Sequence, residues 1–438
     1  MKNRVDILLI HSNLKHLNRA TSAEHVDITL SEEETSLPEM INVADESRTD
    51  TIETFSLPNR KKVDPEEAWS ETILIEQGAD YRNKINLRYF IDGVQQTIWI
   101  KNIPILTTGE KIPYHAGQVG SVVLERKDRR LSVIKEISEI AFNLMLPAVF
   151  VEEVSDIEKV KLFFANEIKQ LSGLRIQDTS YFPNPKTEGG KIQYSEDGRE
   201  IHERIPNFEL KKSLNDLNYF RKLHMKWNVR NRALLEKRTF DLLAEYLSKR
   251  EIANDLMDFC VLDGTLTDVR GKILLNAVGV IKSHRMRFLD SKKHNKAFQL
   301  PSFCRTPVFL LGPNDESSIE SDLGKRNFIK VSNRASWYLR IRVMEHFIPS
   351  WGLLRIEIDP KILPNKGSAE LWDEADSLLV NAISQKLIEE RYPTSHPDTR
   401  WANLLYPIFK CEQYLKSLMI PREVIRHIAT TPRIEEGE

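Results

Sequence analysis

Two Asp-Gly pairs in matching contexts are the residues of this chain best suited to chemistry. RYFIDGVQQT contains Asp92 and FCVLDGTLTD contains Asp263, and in both an apolar, β-rich run precedes the Asp and a Gly follows it. This pattern predicts a carboxylate at a strand end, with a Gly that lets the chain turn and a phosphate backbone approach. Two such carboxylates on neighbouring strands could bind Mg²⁺ or Mn²⁺. A single Asp-Gly pair would more simply indicate a turn.

A helix predicted at 217–248 offers a third carboxylate, from either Glu236 or Glu245. If this helix runs antiparallel to the strand predicted at 258–262, the stretch from Glu236 to Lys249 spans about 20 Å, which matches the reach of the strand at about 3.3 Å per residue. Glu236 would then lie over the Asp263 end of the strand and Glu245 over the far end.

The helical phase favours the same choice. Glu236 shares a face with Phe240, Leu243 and Leu247, whereas Glu245 lies in a row of charged residues that indicates a solvated face. A carboxylate on a buried face needs a compensating partner, which could be a metal ion or one of the nearby arginines.

A cation is predicted beside these acids. The apolar segment AVGVIKS ends in Lys282, whose ammonium group at the sheet edge could hold a scissile phosphate. A lysine that is simply exposed at a strand end explains the same segment equally well.

Two basic stretches flank the acids, at 221–238 and 282–296. Their arginines could neutralise phosphates, and an interleaved aromatic ring could stack on unpaired bases, although a basic helix is more often a solvated face. The residues predicted to contact DNA are Trp227, Arg230, Arg232, Arg285 and Arg287.

Composition limits the alternatives without choosing between them. The chain has 438 residues, 41% of them hydrophobic, and a net charge of −1, so nucleic-acid binding has to come from local patches. The scattered cysteines argue against a disulfide framework and a structural zinc site. No apolar run approaches the roughly 20 residues of a spanning helix, so we expect a soluble, cytoplasmic protein without a membrane partner.

The order of elements predicts an α/β fold with a mixed sheet flanked by helices. We expect an N-terminal extension with an acidic linker over 1–70 and a main domain over 71–438, with a helical insertion around 132–215. The predicted strands are 89–91 and 97–100, joined through DGVQQ, then 122–124, 258–262, 275–281, 336–344 and 353–358. The predicted helices are 132–146, 155–172, 217–248 (in one piece or two), 368–391 and 402–418.

Taken in order, these motifs resemble the NurA family of nucleases. The resemblance rests on YFIDGVQQT, CVLDGTL, AVGVIKS, RTPVF, WYLRIRV, LLRIEID and YPIFKCEQY, and covers roughly residues 85–430. It implies an RNase H-like core related to the PIWI domain, Mn²⁺-dependent cleavage of DNA, a homodimer, and docking on a hexameric HerA-type ATPase in DNA end processing or anti-phage defence. The catalytic residues that it implies are Asp92, Glu236, Asp263, Lys282 and Tyr406, the three acids being the metal ligands.

The sequence departs from the family pattern in two places. Tyr414 occupies a position where the family usually has a His, and Val94 follows the first Asp-Gly pair in place of Ser or Thr. The departure at Tyr414 keeps a second hypothesis open, a DNA-binding or assembly subunit without catalytic activity. An Argonaute-like guide-binding protein ranks third, because no basic-aromatic pocket motif is evident in the sequence.

Overall fold

The computed structural model describes most of the chain from residue 85 onwards and two short segments before it. The described residues are 54–57, 73–75, 85–104, 111–127, 130–147, 174–188, 191–195, 200–214, 216–249, 257–266, 276–282, 284, 289, 291–311, 318–320, 326–328, 334–342, 349–364, 374–393 and 399–425.

Strands make up much of the described chain. They are β1 (Thr54–Leu57), β2 (Ile73–Leu74), β3 (Ile85–Pro104), β4 (Lys111–Lys127), β5 (Arg130–Val133), β6 (Glu139–Leu146), β7 (Leu174–Asp178), β8 (Tyr181–Pro185), β9 (Thr187–Glu188), β10 (Lys191–Ile192), β11 (His202–Arg204), β12 (Met257–Asp263), β13 (Ala277–Ile281), β14 (Cys304–Arg305), β15 (Val308–Leu311), β16 (Ser318–Glu320), β17 (Arg326–Phe328), β18 (Arg334–Arg340) and β19 (Leu353–Ile358).

The α-helices of the described residues are fewer and differ widely in length. They are α1 (Asn207–Lys212), α2 (Leu217–Ser248), α3 (Ser291–Phe298), α4 (Glu374–Glu389) and α5 (Tyr406–Leu418). None of them is both long and apolar enough to cross a membrane.

One large mixed sheet organises the chain. It has 13 strands, with the main path β1-β15-β18-β19-β13-β12-β3-β4-β6-β7. At its centre β3, β12 and β13 are parallel, and antiparallel strands flank them on both sides. Because β12 and β13 run parallel, Asp263 at the end of β12 and Lys282 just after β13 come to the same end of the two strands.

Helices cover both faces of the centre. On one face, Tyr89 and Ile91 of β3 pack in a cluster with Phe240 and Leu243 of α2. On the other face, Phe90 packs in a cluster with residues of α4 and α5. The sequence therefore folds into the predicted mixed α/β arrangement, with β3 buried from both sides, as its nearly continuous apolar run requires.

The prediction of a turn at the first Asp-Gly pair is wrong. Asp92 and Gly93 lie in the middle of β3, and Asp92 pairs with Val122 in an antiparallel ladder that continues to Trp99 and His115 before its first irregularity. The hairpin partner β4 supplies ladder partners along this whole stretch, and long-range pairing of this kind overrides the local turn preference of Asp-Gly.

The predicted helix at 132–146 is also wrong. This segment forms β5, a short 3-10 turn at Lys135–Ile137, and β6, which lies between β4 and β7. Residues 141–146 are all buried, and a strand that is buried on both faces lacks the alternation that would distinguish it from a helix. The described part of the predicted helical insertion consists mainly of short strands, and the helix predicted at 155–172 lies outside the described residues.

Two further predictions are adjusted. The linker predicted before residue 70 contributes β1, which pairs with β15 at one end of the sheet path. The helix predicted at 217–248 forms in one piece as α2, with Asp216 capping its first turn through Asn218 and Tyr219. The strands and helices predicted after residue 257 are found among the described residues with ends shifted by a few residues, and the predicted ends at 343–344 and 368–373 lie outside the described residues.

Candidate active site

Asp92 and Asp263 lie side by side on neighbouring parallel strands. Ile91 of β3 pairs with Leu262 of β12, so the next residue on each strand is one of the two aspartates. Neighbouring strands are about 4.8 Å apart. On the other side of β12, Asp263 is in register with Val280 of β13, and the lysine follows the end of that strand.

Both aspartates point to the face of the sheet that α5 covers. Alternate residues of a strand point to opposite faces, and Phe90 and Val94, on either side of Asp92, belong to the cluster that contains Cys411 of α5. The Sγ atom of Cys411 lies 3.6 Å from the carbonyl oxygen of Phe90. On β12 the same alternation places Asp263 on this face.

Lys282 completes the group on this face. Its Nζ atom lies 2.8 Å from Oδ2 of Asp263, and both side chains are about three-quarters shielded from solvent. The ammonium group therefore already neutralises the second aspartate by a direct ion pair.

Glu236 reaches the group from the opposite face, through the space that Gly93 leaves open. A Cβ atom built on Gly93 would lie 2.2 Å from Oε1 of Glu236. One and two turns further along α2, Phe240 and Leu243 are buried against the sheet. The glycine after Asp92 is thus required by the approach of a carboxylate, and the predicted reason, a turn, does not apply.

Glu236 and Glu245 differ in exposure as the helical phase predicts. Glu245 has 60% of its side chain exposed and pairs with Lys249. Glu236 is only 21% exposed, and its Oε1 lies 3.5 Å from Nε of Arg232 in the preceding turn. Of the two partners proposed for Glu236, a metal ion or an arginine, the arginine lies beside it.

Glu412 of α5 is an acid that the sequence did not indicate. Its charge raises the pKa of Asp92, and its side chain is 17% exposed and paired with Lys416 at 2.8 Å. It follows Cys411, which contacts β3 at the carbonyl oxygen of Phe90, two residues before the first aspartate. The phase argument used for α2 would have identified it, because it borders the buried stripe of α5.

The environment of Asp92 strongly shifts its pKa. It is 6% exposed, and Oδ1 accepts a hydrogen bond of 2.8 Å from the Gly93 amide. Burial raises the pKa of Asp92 well above its ordinary value, and the neighbouring Asp263 raises it further. Lys282 opposes this shift, while Glu236 and Glu412 add to it. Ionised Asp92 is therefore undercompensated in the structure.

The protonation states of Lys282 and Cys411 follow from the same cluster of acids. Burial alone would lower the pKa of Lys282, but Asp263 and Asp92 outweigh it and the pKa is raised, so the ammonium form is held. Burial, with Asp92 and Asp263, raises the pKa of Cys411 well above its usual value. The thiol is thus neutral, and oxygen atoms are the donors that this site offers.

A buried ion network fixes the loop after the second aspartate. Gly264 has φ +132°, a conformation that side chains rarely adopt. Thr265 then donates a hydrogen bond of 2.8 Å to Glu357, which also pairs with Arg334 and Arg355 at 2.6 Å each. Burial alone would raise the pKa of Glu357, yet the two arginines outweigh it and lower the pKa, so the carboxylate stays ionised and anchors the loop.

Trp227 does not serve the predicted stacking role in this structure. It is 5% exposed, packs in the cluster with Phe220 and Leu223, and donates a hydrogen bond of 3.0 Å to the carbonyl oxygen of Tyr181. These residues share one face of α2, so the ring belongs to the core and cannot meet a base.

The other predicted DNA contacts have mixed outcomes. Arg230 pairs with Glu200 at 2.5 Å, and Arg232 lies beside Glu236. Both remain partly exposed, but each is already close to a carboxylate, which weakens the prediction that they meet phosphates. Arg285 and Arg287 lie outside the described residues.

Tyr406 lies apart from the acids. It begins α5, six residues before Glu412, which corresponds to about 9 Å along the helix. Its ring is 38% exposed and contacts Tyr392 and Lys410. Tyr414, which occupies the departing position of the family pattern, packs against the core cluster.

Within the described residues, no three His, Cys, Asp or Glu side chains are arranged closely enough to hold a metal ion as they stand. The acids are gathered, but Asp263 is turned to Lys282 and Glu236 approaches from the other face. A metal would thus require side-chain rotation, beginning with release of Lys282 from Asp263.

Comparisons with known proteins add little to this geometry. No protein-family model matches the chain, and no curated protein matches it. Among solved structures it is similar to the crystal structure of the NurA nuclease from Sulfolobus solfataricus, with 12% identity and a TM-score of 0.30 over 77% of this chain and 83% of that chain. A TM-score this low carries no argument for function, so the site stands on its own residues.

Proposed function

We propose that the chain is a metal-dependent nuclease that hydrolyses phosphodiester bonds of DNA. Asp92, Asp263 and Glu236 would bind Mn²⁺ or Mg²⁺. The observation that carries this proposal is the burial of Asp92 beside Asp263, which raises the pKa of Asp92 well above its ordinary value. A buried carboxylate with further carboxylates around it is costly unless a cation compensates the charge.

The donors fit a hard divalent cation. Carboxylate oxygens are the ligands that Mg²⁺ and Mn²⁺ prefer, and the neutral thiol of Cys411 offers no competing thiolate. Lys282 contacts Asp263, Arg232 lies beside Glu236 and Lys416 pairs with Glu412. Among the described residues, three cations therefore face four acids, and the buried Asp92 has no ion pair of its own. The excess of negative charge favours a divalent ion at this edge of the sheet.

Each side chain has a role that follows from its position. Asp92 and Asp263 are held on rigid strands, so their carboxylates change little in position when the charge at the site changes. Lys282 can exchange its contact with Asp263 for an oxygen of the scissile phosphate, where an ammonium stabilises developing charge. When bound, the metal would supply an acidified water as the nucleophile.

A cleavage assay tests this proposal. Purified protein with Mn²⁺ should degrade single-stranded or end-bearing DNA, and chelator should stop it. Asp263→Ala should abolish the activity, while Glu245→Gln, a change at the exposed carboxylate of the same helix as Glu236, should leave it unchanged. Undiminished cleavage by Asp263→Ala would refute the assignment.

The second candidate is a DNA-binding or assembly subunit without catalytic activity. The ion pair between Lys282 and Asp263 favours it, since this pair neutralises one of the proposed ligands in place of a metal. This candidate predicts DNA binding that chelator leaves unchanged and no cleavage with any divalent metal. Binding of Mn²⁺ to the wild type would argue against it.

The resemblance to the NurA family also implies a core topology and partners for the chain. We propose an RNase H-like core, a homodimer and a HerA-type hexameric ATPase as partner, acting in DNA end processing or defence. Sedimentation of the purified chain tests the dimer, and co-purification with a HerA-type ATPase encoded nearby tests the partner. Neither outcome affects the assignment of the acidic group.

A further inference from the structure

A second group of polar and aromatic side chains lies outside the acidic site. It consists of Phe303, Arg342, Arg391 and Trp401, which we name the cation–aromatic patch. The guanidinium of Arg342 lies 4.6 Å from the ring centroid of Trp401, and that of Arg391 lies 5.3 Å from the ring centroid of Phe303. Residues far apart in the sequence thus form two stacked cation–ring pairs.

The charges of the two arginines interact unfavourably. Burial lowers the pKa of Arg342, and the charge of Arg391 lowers it further. Nε and Nη2 of Arg342 are buried without a hydrogen-bond partner among the described residues. Nη1 of Arg391 donates to the carbonyl oxygen of Ile388 at 2.8 Å, so the unused donors are those of Arg342. Two neighbouring guanidinium groups, one of them with unused donors, favour an anion between them.

Phe303 is held in a conformation that core packing does not explain. It is the non-glycine residue with positive φ in the described chain, at +60°, and its ring is 39% exposed. Its amide donates to the carbonyl of Arg340 at 2.8 Å, and its own carbonyl accepts from Ile75 at 3.1 Å. Backbone strain of this kind costs of order 1–3 kcal/mol and is often retained at binding sites.

Buried contacts fasten the segments that carry the patch. Arg340 donates to the carbonyl oxygens of Phe298, Leu300, Pro349 and Trp351, and so joins the loops before Phe303 and after Arg342. The amide of Gly352 donates to Asn403 at 2.5 Å, which ties down the turn that contains Trp401. The patch is therefore a built feature of the fold.

The patch borders the helix that leads to the acids. Arg391 pairs with Leu405 in an isolated bridge, immediately before α5. From Leu405 to Glu412, which is beside Asp92, the helix rises about 10 Å. A single extended strand could span both places.

We propose that the cation–aromatic patch binds an unpaired nucleotide of a DNA strand. Arg342 and Arg391 hold a phosphate, and the exposed part of the Phe303 ring stacks on the neighbouring base. An acidic peptide would use the arginines alone, whereas a nucleotide uses the ring as well. The identity of the strand as DNA rests on the proposed nuclease function.

Binding of a short fluorescein-labelled oligothymidylate, followed by anisotropy in the presence of chelator, tests this proposal. Arg391→Gln should weaken binding at least about fivefold and reduce the slope of log affinity against log salt by about 0.7, the value for one lost phosphate contact. Arg391→Lys should restore part of the affinity. An unchanged affinity and slope for Arg391→Gln would overturn the proposal.

Phe303→Gly separates stacking from structure. Glycine accepts positive φ, so this variant should keep or raise the melting temperature while binding weakens about fivefold or more. Binding equal to the wild type would show that the ring serves only the backbone and would overturn the stacking role. Lys249→Gln and Phe208→Ala, at an exposed cation and an exposed ring elsewhere, should bind as the wild type does.

Failure of this proposal can be distinguished from failure of the nuclease proposal. Hydrolysis of bis(p-nitrophenyl) phosphate, which is too small to reach both places, should be unchanged in Arg391→Gln and Phe303→Gly. Conversely, Asp263→Ala should bind the oligonucleotide at least as well as the wild type. Loss of the small-substrate activity in the patch variants would overturn the assignment of the patch as a separate binding site.

Discussion

The two Asp-Gly pairs have the same local sequence pattern, yet their glycines serve different purposes. Gly264 follows the end of β12, has φ +132°, and a Cβ atom built on it would meet nothing within 4 Å. Gly93 continues an extended strand, and a Cβ atom there would overlap Glu236 at 2.2 Å. Gly264 is required by its backbone conformation, and Gly93 is required because a side chain there would overlap Glu236. Identical dipeptides therefore contribute to one site for different physical reasons.

The largest effect should come from Gly93→Ala. The added methyl displaces the carboxylate of Glu236 while an extended strand tolerates alanine, so Mn²⁺-dependent cleavage should fall about 100-fold, a loss typical of a misplaced catalytic group. Cleavage rates measure the loss of activity, and thermal unfolding measures the loss of stability caused by the displaced carboxylate. The double variant Gly93→Ala with Glu236→Ala should regain stability but not activity, and full activity of Gly93→Ala would contradict the role of Glu236.

Gly264→Ala should act mainly on stability. Alanine is strained at φ +132°, so the free energy of unfolding should fall by about 1–3 kcal/mol, as measured by urea denaturation. Because no atom blocks the methyl group, the activity of the folded fraction should fall much less than in Gly93→Ala. If activity falls as far in both variants, the contrast between the two glycines is wrong.

Glu412→Gln should have an intermediate effect on metal affinity. Removing this charge lowers the cost of ionising Asp92 but also weakens the attraction for a cation, and Mn²⁺ binding should weaken about tenfold, the scale of supporting groups around a metal. Isothermal titration calorimetry measures it. Glu389→Gln, at another helical carboxylate paired with a lysine, is the matched control and should bind Mn²⁺ normally.

The smallest effect, on stability, should appear in Asp92→Asn. The raised pKa means that the folded protein binds a proton more tightly than the unfolded chain, so the stability contributed by Asp92 is present at low pH. It is lost as pH rises from the ordinary value of 3.8 through the raised pKa. At neutral pH without metal, Asp92→Asn should therefore be more stable than the wild type by about 1 kcal/mol or more.

The difference in unfolding free energy between Asp92→Asn and the wild type isolates this group. Buried His115, whose pKa burial lowers to about 4, makes the stability of both proteins fall on acidification below its ordinary value of 6.5, and the subtraction removes that trend. The difference should shrink toward pH 4 and reverse in saturating Mn²⁺. A difference that is independent of pH would contradict the raised pKa.

The sequence predicted the parts of the site that follow from the helical phase and from apolar strand runs. The helical phase of α2 placed Glu236 on the sheet side and Glu245 in solvent, and the apolar runs before Asp263 and Lys282 predicted strands that the structure contains. These features depend on local patterns, which a single sequence displays.

What the sequence could not predict depends on partners distant in the chain. The ladder with β4 keeps Asp92 and Gly93 in a strand, although their dipeptide favours a turn. The pairing of β6 with β4 and β7 turns an apolar run with no clear period into a strand. The prediction for Trp227 is wrong for another reason: its basic neighbours indicate a nucleic-acid contact, whereas its helical phase with Phe220 and Leu223 indicates the core.

Mn²⁺ binding to the wild type, Asp92→Asn and Asp263→Asn tests most directly whether the two pairs form one site. Calorimetry on the metal-free proteins should give binding by the wild type, and each single substitution should abolish the same binding event, because the two carboxylates are side by side on neighbouring strands and would share one ion. Retention of wild-type Mn²⁺ affinity and stoichiometry in either variant would contradict the account.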